Sequence, residues 1–257
     1  MTITNMQLKI FKEGITMMKR IVCALMLACV FAASADDRSM SLNNEIQVLP
    51  APGQVVIDGK TDDWDLSGGV WSYNDPTIVE QYSVWTHLMW DDKGVYMLAR
   101  YYDTSPMKND ASGKDFQQSW RADCYQARVI FDDRTKDEHI MHVNMYYSSF
   151  DNQPYMIIKH GGFKNKPPYD GTGPDRPDQL EKLGPTMADA GGKIAFAPWP
   201  DGKGYNLEVF WPWKYCRTNG EPLKPGESFV FGIGRCGEMP KGPLWRTGLQ
   251  TESRTTT

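Results

Sequence analysis

The chain has 257 residues, of which 40% are hydrophobic and 23% charged, so it can bury a full core and is typical of one globular domain. This composition excludes an intrinsically disordered protein. The net charge is −4 and the 28 Lys and Arg residues are scattered, so no basic stripe is available to attract phosphates and a nucleic-acid partner is not expected.

The first 35 residues have the pattern of an upstream extension followed by a signal peptide. Met18-Lys19-Arg20 provides a positive start, residues 21–32 are an unbroken apolar run, and Ala33-Ser34-Ala35 has the small-x-small form of a cleavage site. We therefore predict cleavage after Ala35 and a secreted or periplasmic product that begins at Asp36. The apolar run is shorter than the roughly 20 residues that cross a bilayer, so no membrane span is expected.

The cysteines suit an exported protein. Cys23 and Cys29 lie in the signal peptide, and the remaining three, Cys124, Cys216 and Cys236, have no CxxC spacing that would indicate zinc. They are interpreted as buried thiols or as one disulfide with an odd thiol. An alternative for the N-terminus is a lipoprotein, because Met26-Leu27-Ala28-Cys29 loosely resembles a lipid-attachment box.

After a linker at residues 36–49, the hydrophobic period of the chain is two. Residues 84–90 and 95–102 alternate around Asp91-Asp92-Lys93-Gly94, which predicts a hairpin whose turn uses a positive φ at Gly94. A helical turn is expected at residues 178–183, within a long surface loop at 163–185. Many short strands with little helical period indicate a sandwich or a barrel. The other predicted strands are 125–131, 140–147, 193–197, 205–210 and 228–233.

Four segments in this order resemble the family 9 carbohydrate-binding modules and their relatives. They are VVIDGKTDDWDLSG (residues 55–68), MWDDKGVYMLARYYD (89–103), SWRADCYQARVIFDD (119–133) and GYNLEVFWPW (204–213). The resemblance implies an all-β fold, an antiparallel two-sheet β-sandwich, over residues 50–234. It also implies a non-catalytic, sugar-binding protein, either attached to a glycoside hydrolase or exported alone, with an oligosaccharide or polysaccharide as its partner.

The same resemblance indicates which residues would hold the sugar. A sugar ring needs an aromatic plane for its apolar face and polar groups for its hydroxyl rim. Trp120 matches the ligand-stacking indole of the family, although an indole at the edge of the core is the alternative. Gln126 stands where the family has a carboxylate, and His142 where it has an arginine. The candidate site residues are Trp120, Arg121, Asp123, Gln126, His142 and Asn144.

Two bound groups are open alternatives. Asp58, Asp62 and Asp63 supply oxygens of the kind that Ca²⁺ prefers, but their spacing is not that of an EF-hand, and side chains that cap turns are the favoured explanation. Some relatives with this architecture bind haem b for electron transfer. Met107-Lys108, Met141, His142 and Met145 offer ligands of that type here.

The remaining indoles are interpreted mainly as packing residues. Trp64 and Trp90 are expected in the core, and Glu208 is expected to be a structural carboxylate. Trp211-Pro212-Trp213 is expected to end a strand, because Pro212 cannot donate to a sheet ladder. Trp71 and Trp85 have no assigned role, and Trp199 is a possible exposed stacking residue.

The C-terminal segment, residues 235–257, loses the alternation and is rich in Thr and Arg. It is expected to be irregular, which would leave the sandwich incomplete at its C-terminus and its edge backbone unpaired. A slip of the reading frame near Gly234 would explain the break. No motif of a hydrolase nucleophile, a zinc protease or a nucleotide-binding loop is present, which favours a binding module over an enzyme.

Overall fold

Alternation with a period of two dominates the folded part of the chain. The computed structural model describes residues 45–73, 75–110, 116–132, 140–160, 169–172, 187–236 and 251–256. All of them belong to one unit, Ser39–Thr257. The strands in chain order are β1 (Glu45–Gln47), β2 (Leu49–Pro50), β3 (Val70–Ser72), β4 (Tyr82–Trp90), β5 (Gly94–Asp103), β6 (Cys124–Ile130), β7 (Met141–Ser148), β8 (Gln153–His160), β9 (Tyr169–Thr172), β10 (Lys193–Pro198), β11 (Gly204–Pro212), β12 (Ser228–Cys236) and β13 (Thr251–Thr256).

These strands form two sheets, which confirms the predicted all-β sandwich. One sheet has seven strands in the order β1-β13-β12-β6-β7-β8-β9. The other has six, in the order β10-β11-β5-β4-β2, with β3 also paired to β4. Neighbours are antiparallel except for β1 with β13 and β2 with β4, which are parallel. Helical structure among the described residues consists of short segments: 3₁₀ turns at Pro76–Ile78 and Phe116–Arg121, and α1 at Trp213–Cys216.

The main core lies between the two sheets, because one face of each long strand is apolar. Val143 and Met145 of β7 meet Leu207 and Val209 of β11 within one buried cluster, and all four are fully buried. Residues one position along each strand therefore point to the outer face of their sheet. This alternation decides which side chains are available for a site.

The predicted hairpin is present, but its glycine has a different function. The Asp91 Oδ1 atom accepts the backbone N–H groups of Lys93 and Gly94, which closes the turn between β4 and β5. Gly94 lies in β5 and is not among the described glycines with a positive φ. A Cβ atom at Gly94 would instead overlap the Trp211 carbonyl oxygen and the Phe210 ring. Close approach of β11 therefore requires the glycine.

The Trp211-Pro212-Trp213 corner ends β11 as predicted. Trp211 is fully buried, and its Nε1 lies 3.1 Å from the Met156 sulfur. Trp213 donates its backbone N–H to the Lys93 carbonyl at 3.0 Å and its Nε1–H to the Asp91 carbonyl at 2.8 Å. The corner is thereby attached to the hairpin turn.

Glu208 is a structural carboxylate that holds the motif loop (residues 55–64). Its Oε2 accepts the N–H groups of Asp58 at 2.8 Å and Gly59 at 2.5 Å, and its Oε1 accepts Nε1–H of Trp64 at 2.5 Å. Gly59 has a φ of 86°, and a Cβ there would overlap Ala197. Burial raises the pKa of Glu208 to about 7, against the opposing effect of these three hydrogen bonds.

The N-terminal boundary of the sandwich differs from the sequence expectation. Residues 45–50, most of them assigned to a linker, form β1 and β2, and Ile46 and Val48 are buried in the core. Elements of two and three residues are too short to show a periodic pattern. The folded unit therefore extends upstream of residue 50.

The C-terminal expectation is wrong where the structure describes that segment. β12 continues through Arg235 and Cys236, and Thr251–Thr256 forms β13 between β12 and β1. β-Branched Thr favours extended backbone, and pairing on both sides satisfies its peptide groups. The reading-frame hypothesis was based on an expected unpaired edge of the sheet. In the structure β13 pairs with β12 at that edge.

The predicted long loop is also partly a strand. Tyr169–Thr172 forms β9 against β8, and β8 itself was not predicted. The helical turn expected at residues 178–183 lies outside the described residues. No helix in the described part of the chain has the length and apolar character needed to cross a bilayer.

The Glu208 network predicts a large loss of stability on truncation. Glu208→Ala leaves three N–H donors without their acceptor, two of them buried, and each buried group costs roughly 1–3 kcal/mol. We expect the free energy of unfolding, measured by urea denaturation, to fall by about 3 kcal/mol or more. Glu221→Gln, at an exposed position, is the matched control and should leave stability unchanged. A Glu208→Ala protein as stable as the wild type would contradict the assigned role.

The pKa of Glu208 gives a pH dependence with a defined sign. The folded value of about 7 exceeds the ordinary value of 4.5, so its contribution to stability is fully present below pH 4.5 and is lost as the pH rises through 7. Glu208→Gln removes this contribution. We expect the stability of the wild type relative to Glu208→Gln to fall between pH 4.5 and 7 and to be level above. An unchanged difference across this range would contradict the shifted pKa.

Candidate functional site

Polar side chains share the outer face of the seven-stranded sheet on β6, β7 and β8. Gln126 is paired with Asn144 across β6 and β7, and Arg128 is paired with His142. Lys159 of β8 is paired with His142 on the other side. The intervening residues of β6 and β7 point into the core, so these five side chains form one continuous polar strip.

The 3₁₀ segment Phe116–Arg121 packs on this strip at β6 and β7. The Ser119 Oγ atom accepts a hydrogen bond from Asn144 Nδ2 at 3.4 Å, and the Ser119 carbonyl accepts Asn109 Nδ2–H at 2.8 Å. An apolar cluster anchors the start of the segment to the outer face. Its members are Phe116, Cys124, Tyr146, Tyr155 and Ile157.

Trp120 lies near the end of this segment and is half-buried. The exposed Arg121 places its guanidinium carbon 5.2 Å from the centroid of the Trp120 ring, a cation–π distance. In contrast, Trp211 and Trp213 are almost completely buried. Trp120 therefore differs from the core indoles, because part of its surface reaches solvent next to the polar strip.

The two central amides orient each other. Gln126 Nε2 donates to Asn144 Oδ1 at 3.0 Å, and Asn144 in turn donates to Ser119. Gly234 of β12 is paired with Gln126 and carries no side chain, so a Cβ atom there would lie 3.7 Å from Gln126 Oε1. The Gln126 amide is thus held by one neighbour and bordered by a glycine on the other side.

Asp123 supports the site. It is buried, and its Oδ2 accepts the Lys108 N–H at 2.8 Å. The backbone of Asp123 also pairs with Lys108, and its carbonyl accepts a second hydrogen bond from Asn109. These contacts attach the loop after β5 to the start of β6, so at least one carboxylate oxygen of Asp123 is used structurally.

His142 is buried in the strip, and its environment keeps it neutral. Burial, with smaller contributions from the charges of Arg128 and Lys159, lowers its pKa to about 4. At neutral pH the ring therefore has one N–H donor and one acceptor nitrogen, which is the pair of functions that a hydroxyl group can use.

Sequence reasoning predicted Gln126, His142 and Asn144 together with Trp120 but missed Arg128 and Lys159. Arg128 follows Gln126 by two residues, so the alternation of β6 was sufficient to predict that both side chains lie on the same face. Lys159 carried no such signal because β8 was not predicted. Both residues matter electrostatically, since they help to lower the pKa of His142.

The aspartates of the motif loop do not fit a calcium site. Asp58 accepts the backbone N–H of Lys60 and pairs with its ammonium at 2.7 Å, and Asp63 accepts the Val56 N–H at 2.6 Å. In the described residues no three His, Cys, Asp or Glu side chains are arranged to hold a metal. The contacts of Asp58 match the alternative interpretation, in which the side chains cap turns, and Asp63 joins the two ends of the motif loop.

His142 and the two methionines of β7 do not fit one haem. Met141 and Met145 point into the core between the sheets, whereas His142 points to the outer face of the same strand. Met107 also packs against the core. Side chains on opposite faces of one sheet cannot ligate a single planar group from its two sides.

Comparisons with known proteins give similarity in structure only. No family model matches the chain, and no curated protein matches it. A solved family 9 carbohydrate-binding module from Caldicellulosiruptor kristjanssonii in complex with glucose is similar, with 17% identity, a TM-score of 0.42, and coverage of 74% of this chain and 79% of that one. A module of that family and organism in complex with cellotriose has 15% identity, a TM-score of 0.45, and coverage of 82% and 92%.

The environment of His142 predicts an unusual titration. Its folded pKa of about 4 lies below the ordinary 6.5, so its contribution to stability is present above pH 6.5 and is lost as the pH falls through 4. We expect NMR of the imidazole to show a midpoint near 4. Arg128→Gln should raise this midpoint only modestly, because burial is the larger cause. A midpoint near 6.5 in the wild type would contradict the assignment.

Proposed function

We propose that this chain is an exported, non-catalytic carbohydrate-binding domain whose sugar stacks on Trp120 and bonds to the polar strip beside it. The observation that carries this proposal is a half-buried indole held on a 3₁₀ segment against a strip of outward-facing amides and a neutral imidazole. The proposal also agrees with the four sequence segments that resemble the family 9 modules.

The chemistry of the strip suits a neutral sugar. The apolar face of a pyranose would lie on the exposed part of the Trp120 ring, which is the usual role of an indole in such a contact. The amides of Gln126 and Asn144 would offer donor and acceptor atoms to the hydroxyl rim, and the imidazole of His142 would add a polar ring nitrogen. Arg121 would add donors at the edge of the indole.

The supporting structure makes these groups rigid before ligand binds. Gln126, His142 and Asn144 lie on paired strands, and the hydrogen bonds from Gln126 to Asn144 and from Asn144 to Ser119 limit their rotamers. Side chains ordered in advance lose less entropy on binding, which raises affinity.

A binding function explains the site better than a hydrolytic one. Glycoside hydrolysis uses two carboxyl groups that face each other across the scissile bond. Asp123 is the carboxylate among the candidate site residues, and its Oδ2 is bonded to the Lys108 amide. The proposed biological role is therefore to hold polysaccharide, with a glycoside hydrolase as the partner that degrades it.

Trp120→Ala tests the stacking contact. Loss of an aromatic anchor typically costs 1–3 kcal/mol, so we expect calorimetric titration with a neutral oligosaccharide to show about 5- to 150-fold weaker binding. The melting temperature should change little, because Trp120 is half-buried. Phe150→Ala, at a 69% exposed position in the β7–β8 turn, is the matched control and should bind as the wild type does.

Two results would contradict the proposed function. One is unchanged affinity of Trp120→Ala together with a much lower melting temperature, which would make Trp120 a packing residue. The other is a Soret band in the purified protein, which would favour the haem interpretation. A panel of glycans immobilised on a surface would identify the sugar.

Export is a separate part of the proposal and has its own test. The apolar run and Ala33-Ser34-Ala35 predict that the mature protein begins at Asp36 and leaves the cytoplasm. N-terminal sequencing and intact mass of protein from the native host measure this directly. A chain that retains Met1, or one with a lipid on Cys29, would contradict it.

A further inference from the structure

The outer face of the six-stranded sheet is divided into a covered half and an uncovered half. The motif loop covers one half, where Trp64 packs with Met89, Tyr96 and Leu98 in a cluster of its own. The other half presents an aromatic platform, which we define as Trp71, Arg100, Tyr102 and Trp199. It faces away from the core, and therefore away from the sheet that carries Trp120.

The rings of the platform are contiguous. Trp71 stacks on Tyr102 with centroids 5.8 Å apart and an angle of 27° between the rings. Tyr102 meets Trp199 edge to face at 4.9 Å. Trp71 is 43% exposed, and Tyr73, two residues along the chain, is 44% exposed. Contiguous aromatic rings that reach solvent are a feature of binding surfaces.

Trp199 is held in place by specific contacts. Its Nε1–H donates to Asn206 Oδ1 at 2.8 Å, and its backbone N–H donates to the Gly204 carbonyl at 2.8 Å. The ring lies over Gly204, where a Cβ atom would approach two ring carbons at 2.8 Å. Asn206 also donates to the Gly59 carbonyl, so the platform and the motif loop are joined.

Arg100 lies at the centre of the platform, and among the residues that the structure describes no carboxylate forms an ion pair with it. Its guanidinium carbon is 6.0 Å from the Trp85 ring centroid and 5.7 Å from that of Trp199. Its Nε is shielded from solvent, and no described group accepts a hydrogen bond from it. Glu208, a carboxylate on the same sheet face, uses its oxygens on the motif loop. A shielded donor without an acceptor is uncommon in native proteins.

We propose that this platform is a second binding site, for a glycan that contains uronic acid. The sugar carboxylate would accept two N–H groups from Arg100, a geometry for which guanidinium is well suited, and the ring faces would lie on Trp71 and Tyr102. Charge complementarity selects the acidic sugar, because the ionised side chain of the platform is a cation. The site is independent of the Trp120 site and lies on the opposite sheet.

Calorimetric titration with an oligogalacturonate, compared with a neutral cello-oligosaccharide of equal length, tests the proposal. We expect the wild type to bind the acidic oligomer, and Trp71→Ala and Arg100→Gln each to weaken this binding about tenfold or more. Added salt should weaken it further, because a charge pair contributes. Phe150→Ala is the neutral control, and melting temperatures verify that each variant is folded.

Three outcomes would overturn the proposal. They are no binding of the oligogalacturonate by the wild type, equal binding by Trp71→Ala and Arg100→Gln, and loss of that binding in Trp120→Ala while Trp71→Ala retains it. The last outcome would place the acidic glycan at the Trp120 site. Failure of Trp120→Ala to affect neutral sugar would instead count against the proposed function alone, so the two failures are distinguishable.

Discussion

The buried carboxylate of Glu208 determines how the six-stranded sheet meets its surroundings. It accepts three N–H groups from the motif loop, which therefore lies on the outer face of β4, β5 and β11. Burial of a carboxylate is costly, and three donors offset part of this cost. The loop then shields Trp64 and its neighbours from solvent, while Trp71 and Arg100 stay outside its cover.

Strand alternation explains why adjacent residues have unrelated functions. Met141 and Met145 fill the core, while His142 and Asn144 between them form the polar strip. The same rule separates Tyr101, which packs in the core, from Arg100 and Tyr102 on the platform. Two residues of one strand that bind the same ligand must therefore lie on the same face of the sheet. His142 and the methionines of β7 do not meet this requirement for a haem.

Much of the fold and part of the site follow from local pattern. The β4–β5 hairpin, the end of β11 at Pro212 and the shared face of His142 and Asn144 were predicted, because alternation and proline act over a few residues. β1, β2 and β13 were not predicted. They are short or Thr-rich, and they become strands through pairing with distant strands rather than through their own composition.

The sequence by itself determined the fold class, the identity of Trp120 as a candidate and the structural role of Glu208. Tertiary structure alone decided that two cations flank His142, that Asp123 supports a loop, and that the four platform residues meet on one surface. The physical reason is the sequence distance over which each effect acts. Alternation is a property of neighbouring residues, whereas these contacts join residues many positions apart, and only sheet register brings them together.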